Sequence, residues 1–62
     1  MTSARILVID DEPEIRKFLE ISLRSQGYAV TLAPTARAGL AEFSALHPDL
    51  VVLDLGLSLI HI

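Results

Sequence analysis

A chain of 62 residues, 52% hydrophobic, with eight acidic and five basic side chains and no cysteine, holds at most one small domain. Those values exclude a disulfide framework and a thiolate metal site. The net charge of −3 argues against a phosphate-backbone binder, because there is no basic stripe to displace counterions. A chain this short buries only about 60% of the surface its unfolded form exposes, so a single core is marginal.

The first apolar run is Ile6-Leu7-Val8-Ile9, and Asp10-Asp11 cuts it off. That is short of the ~7–15 apolar residues of a secretory signal. No run approaches the ~20 that span a bilayer. A cytoplasmic protein without membrane contact is the expectation.

In chain order, a strand is expected over 5–9, because Ile6 to Ile9 form a short continuous apolar run rich in β-branched side chains, as in a strand buried on both faces. Asp11-Glu12-Pro13-Glu14 reads as a helix start, an acidic cap with proline in the first turn, and predicts a helix over 13–26. Within it Ile15, Phe18, Leu19 and Leu23 recur at helical spacing. Gln26-Gly27 supplies the stop. A second strand is expected over 28–32, then a helix over 35–46 capped by Thr35, with Ala36, Leu40, Phe43 and Leu46 on one face. Residues 50–53, Leu50-Val51-Val52-Leu53, give a third strand that ends in Asp54. Strand and helix alternation predicts an α/β fold, the first half (βαβαβ) of a doubly wound, flavodoxin-like parallel sheet.

Two of the three strands therefore end in acids, Asp10-Asp11 and Asp54. In open α/β sheets, ligands lie outside the carboxyl ends of the strands, where the strand order reverses. If the first and third strands are neighbours, three carboxylates meet there and repel one another unless a cation is bound. Mg²⁺ suits such a site, being hard and oxygen-seeking. A carboxylate beside it can attack a phosphoryl group.

Taken together, Ile6-Leu7-Val8-Ile9-Asp10-Asp11-Glu12-Pro13, the Gly27-Tyr28 turn and the run from His47-Pro48-Asp49 to Asp54-Leu55 resemble the receiver domain of two-component response regulators. The resemblance runs over residues 5–57 and the first half of that domain. It implies that Asp54 is the phosphoacceptor, charged by a sensor histidine kinase. It also implies Mg²⁺ as cofactor, with Asp11 as a direct ligand, Asp10 acting largely through water, and the carbonyl of Gly56 and Asp54 completing the set. The stretch Asp54-Leu55-Gly56-Leu57 further resembles regulators with a winged-helix DNA-binding domain, those paired with potassium sensors among them. DNA contact would then belong to an output domain of the parent and not to this segment, with room for a receiver–receiver dimer in that parent. A module of this kind is a signalling phosphoacceptor rather than a turnover enzyme.

After Leu57 the pattern departs. Ser58-Leu59-Ile60-His61-Ile62 replaces the usual proline and glycine-containing turn, and no fourth or fifth strand is expected. Residues 58–62 read as a non-native tail. Without the hydroxyl and lysine that the family sets around the phosphoryl group, the chain is expected to be an inactive fragment.

Plainer readings stand beside these. Asp10-Asp11-Glu12 could simply cap a helix, and Asp54 or Asp49 alone could be turn residues. His47 would meet a helix dipole, and an isolated His61 is neither donor nor ligand. Phe18 and Phe43 read as core by spacing. Arg5, Arg16, Lys17, Arg24 and Arg37 read as solvated faces. Two functions from other classes remain in play. One is a Mg²⁺-dependent phosphohydrolase with Asp10 as nucleophile, although Asp-x-Asp is the usual pattern there. The other is a truncated interaction module that pairs its sheet edge with an intact regulator.

Overall fold

The computed structural model describes residues 3–53 and, for 58–61, the backbone. Asp54 and Gly56 lie outside the described residues. The elements run β1 (Arg5–Ile9), α1 (Pro13–Ser25), β2 (Ala29–Ala33), α2 (Ala36–Leu46), β3 (Leu50–Leu53) and β4 (Ser58–His61). The strand order is β2-β1-β3-β4, so β1 sits between β2 and β3 and is parallel to both. The first and third strands are thus neighbours, and their carboxyl ends lie side by side.

Period-two alternation in β1 sends Ile6 and Val8 to one face and Leu7 and Ile9 to the other. Ile6 and Val8 join Val30 and Val52 in a cluster that receives Leu19 and Leu23 from α1. Leu7 joins Ala33 and Val51 in a second cluster that receives Ala38 and Phe43 from α2. The helices therefore cover opposite faces of a parallel sheet, the arrangement that right-handed crossovers from β1 and β2 require. Both helices sit over β1 and β2.

Local chemistry sets the element ends. Thr35 is the N-cap of α2, its Oγ1 accepting from the Ala38 amide at 3.1 Å. At the end of α1, the amides of Gln26 and Gly27 donate back to Leu23 and Arg24, and Gly27 takes φ 93°. That left-handed turn suits glycine and holds the Tyr28 amide on the Leu23 carbonyl, so β2 begins one residue later than expected. Glu12 occupies the N-cap of α1 but makes no side-chain cap bond, which corrects the acidic-cap reading; Pro13 at N1 supplies the helical φ instead.

Three further expectations are corrected. Phe18 is 67% exposed, because α1 is seated through Leu19 and Leu23 and its apolar stripe is narrower than the spacing suggested. Leu40 is 69% exposed, and Gly39 takes the buried seat on α2 against the Ile9 side chain. Finally, a fourth strand does follow: β4 pairs antiparallel with β3, with Leu50 opposite His61 and Leu53 opposite Ser58. This pairing gives the outer backbone groups of β3 partners that an edge strand would lack.

Candidate functional site

β1 ends at Ile9, and the next residue carries the sheet's one buried acid among the described residues. Asp10 is 1% exposed. Its amide stays with the sheet, donating to the Ala33 carbonyl at 3.1 Å. Its Oδ1 accepts from the Glu12 amide at 2.8 Å, a local turn in which an aspartate side chain replaces a backbone acceptor. Its Oδ2 is buried and, among the described residues, has no hydrogen-bond partner. Buried polar atoms are almost always paired, and an unpaired buried carboxylate oxygen is costly.

Asp11 follows on the exposed side of the same loop. The two acids, with Ile9, Pro34, Thr35 and Leu53, line a depression of about 100 Å³ at the carboxyl ends of β1, β2 and β3. A larger groove of about 290 Å³ lies against α2, lined by residues such as Leu7, Gly39, Phe43 and Val51. That groove is apolar and offers no group for chemistry. The smaller acidic depression is the candidate site.

The donor set suits a hard divalent cation. It offers carboxylate oxygens, one of them buried and unpartnered, and no sulfur or imidazole. Among the described residues no group of three or more His, Cys, Asp or Glu side chains gathers to hold a metal. The structure brings Asp10 and Asp11 together beside the end of β3. Asp54 and Gly56, expected to complete the set, fall outside the described residues.

Sequence reasoning missed one residue here. Arg16, read as part of a solvated face, is half-buried, and its Nη1 donates to the Asp10 carbonyl at 2.7 Å. Arg5 and Arg24 are exposed as expected, and each also donates from its guanidinium to a carbonyl, Arg5 Nη1 to Leu46 and Arg24 Nη2 to Val30. Each arginine holds a carbonyl that its own element leaves free. The usable signal was an arginine one turn into a helix that directly follows a strand-ending acid pair. Asp49, read as a plain turn residue, also does more: its Oδ2 accepts from the Arg5 amide, and its own amide donates to the Arg5 carbonyl, both at 2.8 Å.

Parallel strands β1 to β3 with helices on both faces, and an acidic depression at their carboxyl ends, define an open α/β module of the kind that binds ligands at that edge. Residues 6–61 match the family model described as the response regulator receiver domain. The chain belongs to that family. It is 44% identical over 52 residues to the KDP operon transcriptional regulatory protein KdpE of Escherichia coli (strain K12), covering 84% of this chain and 23% of that protein. It is 48% identical over 52 residues, with the same coverage, to the transcriptional regulatory protein KdpE of Mycobacterium tuberculosis (strain CDC 1551 / Oshkosh). Among solved structures, the chemotaxis response regulator CheY4 of Vibrio cholerae superposes with a TM-score of 0.84 at 28% identity, over 97% of this chain and 50% of that one. The chain thus spans about a quarter of the length of these curated relatives. Among the described residues no helix is long and apolar enough to cross a membrane.

Proposed function

We propose that this chain is the phosphoacceptor segment of a response regulator, in which Asp54 takes a phosphoryl group from a sensor histidine kinase with Mg²⁺ bound. The observation that carries this reading is the buried, unpartnered Oδ2 of Asp10, set beside Asp11 at the end of a strand whose neighbour leads directly into Asp54. Asp11 and Asp54 would hold the metal directly, Asp10 largely through water, and the Gly56 carbonyl would add a further oxygen. Bound there, Mg²⁺ offsets the charge of the acids and of the phosphoryl oxygens.

The rest of the chemistry belongs to the chain. A carboxylate oxygen of Asp54 attacks phosphorus as the bond from phosphorus to the donor's imidazole nitrogen breaks, and the product is an aspartyl phosphate. Asp10, fixed through Glu12 and Ala33, keeps one carboxylate oxygen for the site rather than for the loop. The names of the relatives support reading this segment as the receiver end of a transcription regulator, for which we propose a cytoplasmic location. DNA contact and receiver pairing would then lie in the rest of the parent.

The test is acetyl phosphate with Mg²⁺, read by intact mass. A gain of one phosphoryl group in wild type that is lost in Asp54→Asn and kept in Glu12→Gln supports the reading. Equal labelling of wild type and Asp54→Asn overturns it. Loss in Asp10→Asn alone moves the nucleophile to β1. The signal is expected to be weak, because among the described residues no cationic side chain is identified to hold the phosphoryl oxygens opposite the acids.

A further inference from the structure

Arg16 reaches the acidic site without touching its carboxylates. It is the fourth residue of α1, and its backbone amide donates to the Glu12 carbonyl at 3.0 Å while its guanidinium donates to the Asp10 carbonyl at 2.7 Å. The loop Asp10-Asp11-Glu12 is therefore held from both sides by one residue. Asp10 lies beyond the last ladder pair of β1, Ile9 with Ala33 and with Leu53, so its carbonyl has left the sheet. Among the described residues the donor to that carbonyl is Arg16.

The consequence follows from peptide geometry. The Asp10–Asp11 peptide is planar, so fixing the Asp10 carbonyl also fixes the direction of the Asp11 amide and Cα. It therefore sets where the Asp11 carboxylate emerges. The same anchor keeps Glu12 in place to donate to Asp10 Oδ1, which leaves Oδ2 as the oxygen without a partner among the described residues. A charged guanidinium makes a stronger bond to a carbonyl than a neutral donor does, and the site's acids make its charge welcome.

We infer that Arg16 is a positioning residue for the acidic site: it orients Asp10 and Asp11 through the Asp10 carbonyl, and divalent-cation affinity depends on it although it ligates nothing. The metal part rests on the function proposed above, whereas the loop-ordering part does not. Charge and positioning make opposite predictions. If Arg16 acted only through its charge, removing it would tighten Mg²⁺ binding by lowering local positive potential. If it positions the loop, removing it weakens binding, and outer-shell partners of metal ligands typically contribute about 10–100-fold in affinity.

The experiment titrates Mg²⁺ alone into the 62-residue chain and follows the Asp11 and Glu12 amide signals by NMR. Wild type is compared with Arg16→Met, Arg16→Gln and Arg16→Lys, with Asp10→Asn as the control for the site. Metal-free hydrogen exchange of the Glu12 amide is read beside that of Leu7 and Val8. Arg16→Met is expected to weaken Mg²⁺ about tenfold and to speed Glu12 exchange while Leu7 and Val8 stay protected. Arg16→Lys, which keeps a charged donor, should restore most of both. If Arg16→Met loses protection at Leu7 and Val8, the same comparison is made with Arg16→Gln, which keeps a neutral donor. Unchanged or tighter Mg²⁺ binding with unchanged Glu12 exchange overturns the inference. If wild type and Asp10→Asn respond to Mg²⁺ alike, the site reading fails, and Glu12 exchange still decides whether Arg16 orders the loop.

Discussion

An aspartate stands at each end of β1, Asp49 bonded across to its first residue and Asp10 just after its last, and the two are used in opposite ways. At the entry end, Asp49 is exposed and its bonds join β1 to the start of β3: Oδ2 to the Arg5 amide, and its amide to the Arg5 carbonyl. The Ala29 amide closes the other side on the Ala4 carbonyl at 2.9 Å. At the exit end, Asp10 is buried, and one of its oxygens has no partner among the described residues. The entry acid is used for structure. The exit acid is held in place with an oxygen to spare, so a carboxylate's position in a sheet does not by itself tell scaffold from site. The difference lies in which of its atoms remain unpaired.

The largest effect tests what both ends share. Leu7 is fully buried at the centre of β1, and Leu7→Ala is expected to destabilise the chain by about 2–5 kcal/mol. Urea denaturation followed by circular dichroism should show both ends lost together; survival of one end would break the picture of a single strand carrying both. Gly39→Val acts on the exit end first. A Cβ there meets Ile9 Cγ1 at 2.7 Å, one residue before Asp10, and the cost should be about 1–3 kcal/mol. Exchange of the Glu12 amide should rise more than that of Asp49.

Paired substitutions sharpen the contrast between the two acids. Asp10→Asn keeps the acceptor for Glu12 and removes a buried unpaired charge, so metal-free stability should rise by about 1 kcal/mol while Mg²⁺ binding is lost. Asp49→Ala should lower stability by about 1 kcal/mol and leave Mg²⁺ affinity unchanged. The opposite pattern in urea and Mg²⁺ titrations would exchange the two roles. The smallest effect lies away from both ends. Glu20, partly buried on α1, sits near the exposed Lys17 at 3.8 Å and Arg24 at 3.3 Å, and Glu20→Gln should lower stability by less than about 0.5 kcal/mol, an effect that shrinks in high salt.

Much of this fold was legible in the amino-acid sequence. The run Ile6-Leu7-Val8-Ile9, the Thr35 cap, the Gly27 stop and the alternation of strands and helices depend on interactions a few residues apart, and these act within the sequence window that encodes them. The acids of the candidate site were legible as types and order. Their roles were not. Phe18 and Leu40 fit a helical stripe, yet the stripe each helix buries is set by its docking angle on β1 and β2. Arg16 looked solvated because a free carbonyl six residues earlier leaves no mark in composition.

The sequence by itself determined the element order from β1 to β3, the Thr35 cap, the Gly27 turn, and an acid pair placed directly after an apolar strand, because each follows from local backbone and side-chain chemistry. Only the tertiary structure decided that β1 lies between β2 and β3 and that β4 runs antiparallel to β3. It also decided that Asp10 is buried with a free oxygen while Asp49 is exposed and bonded. Strand neighbours and burial arise from contacts between residues up to 44 positions apart, as between Arg5 and Asp49, and a sequence read in order does not display them.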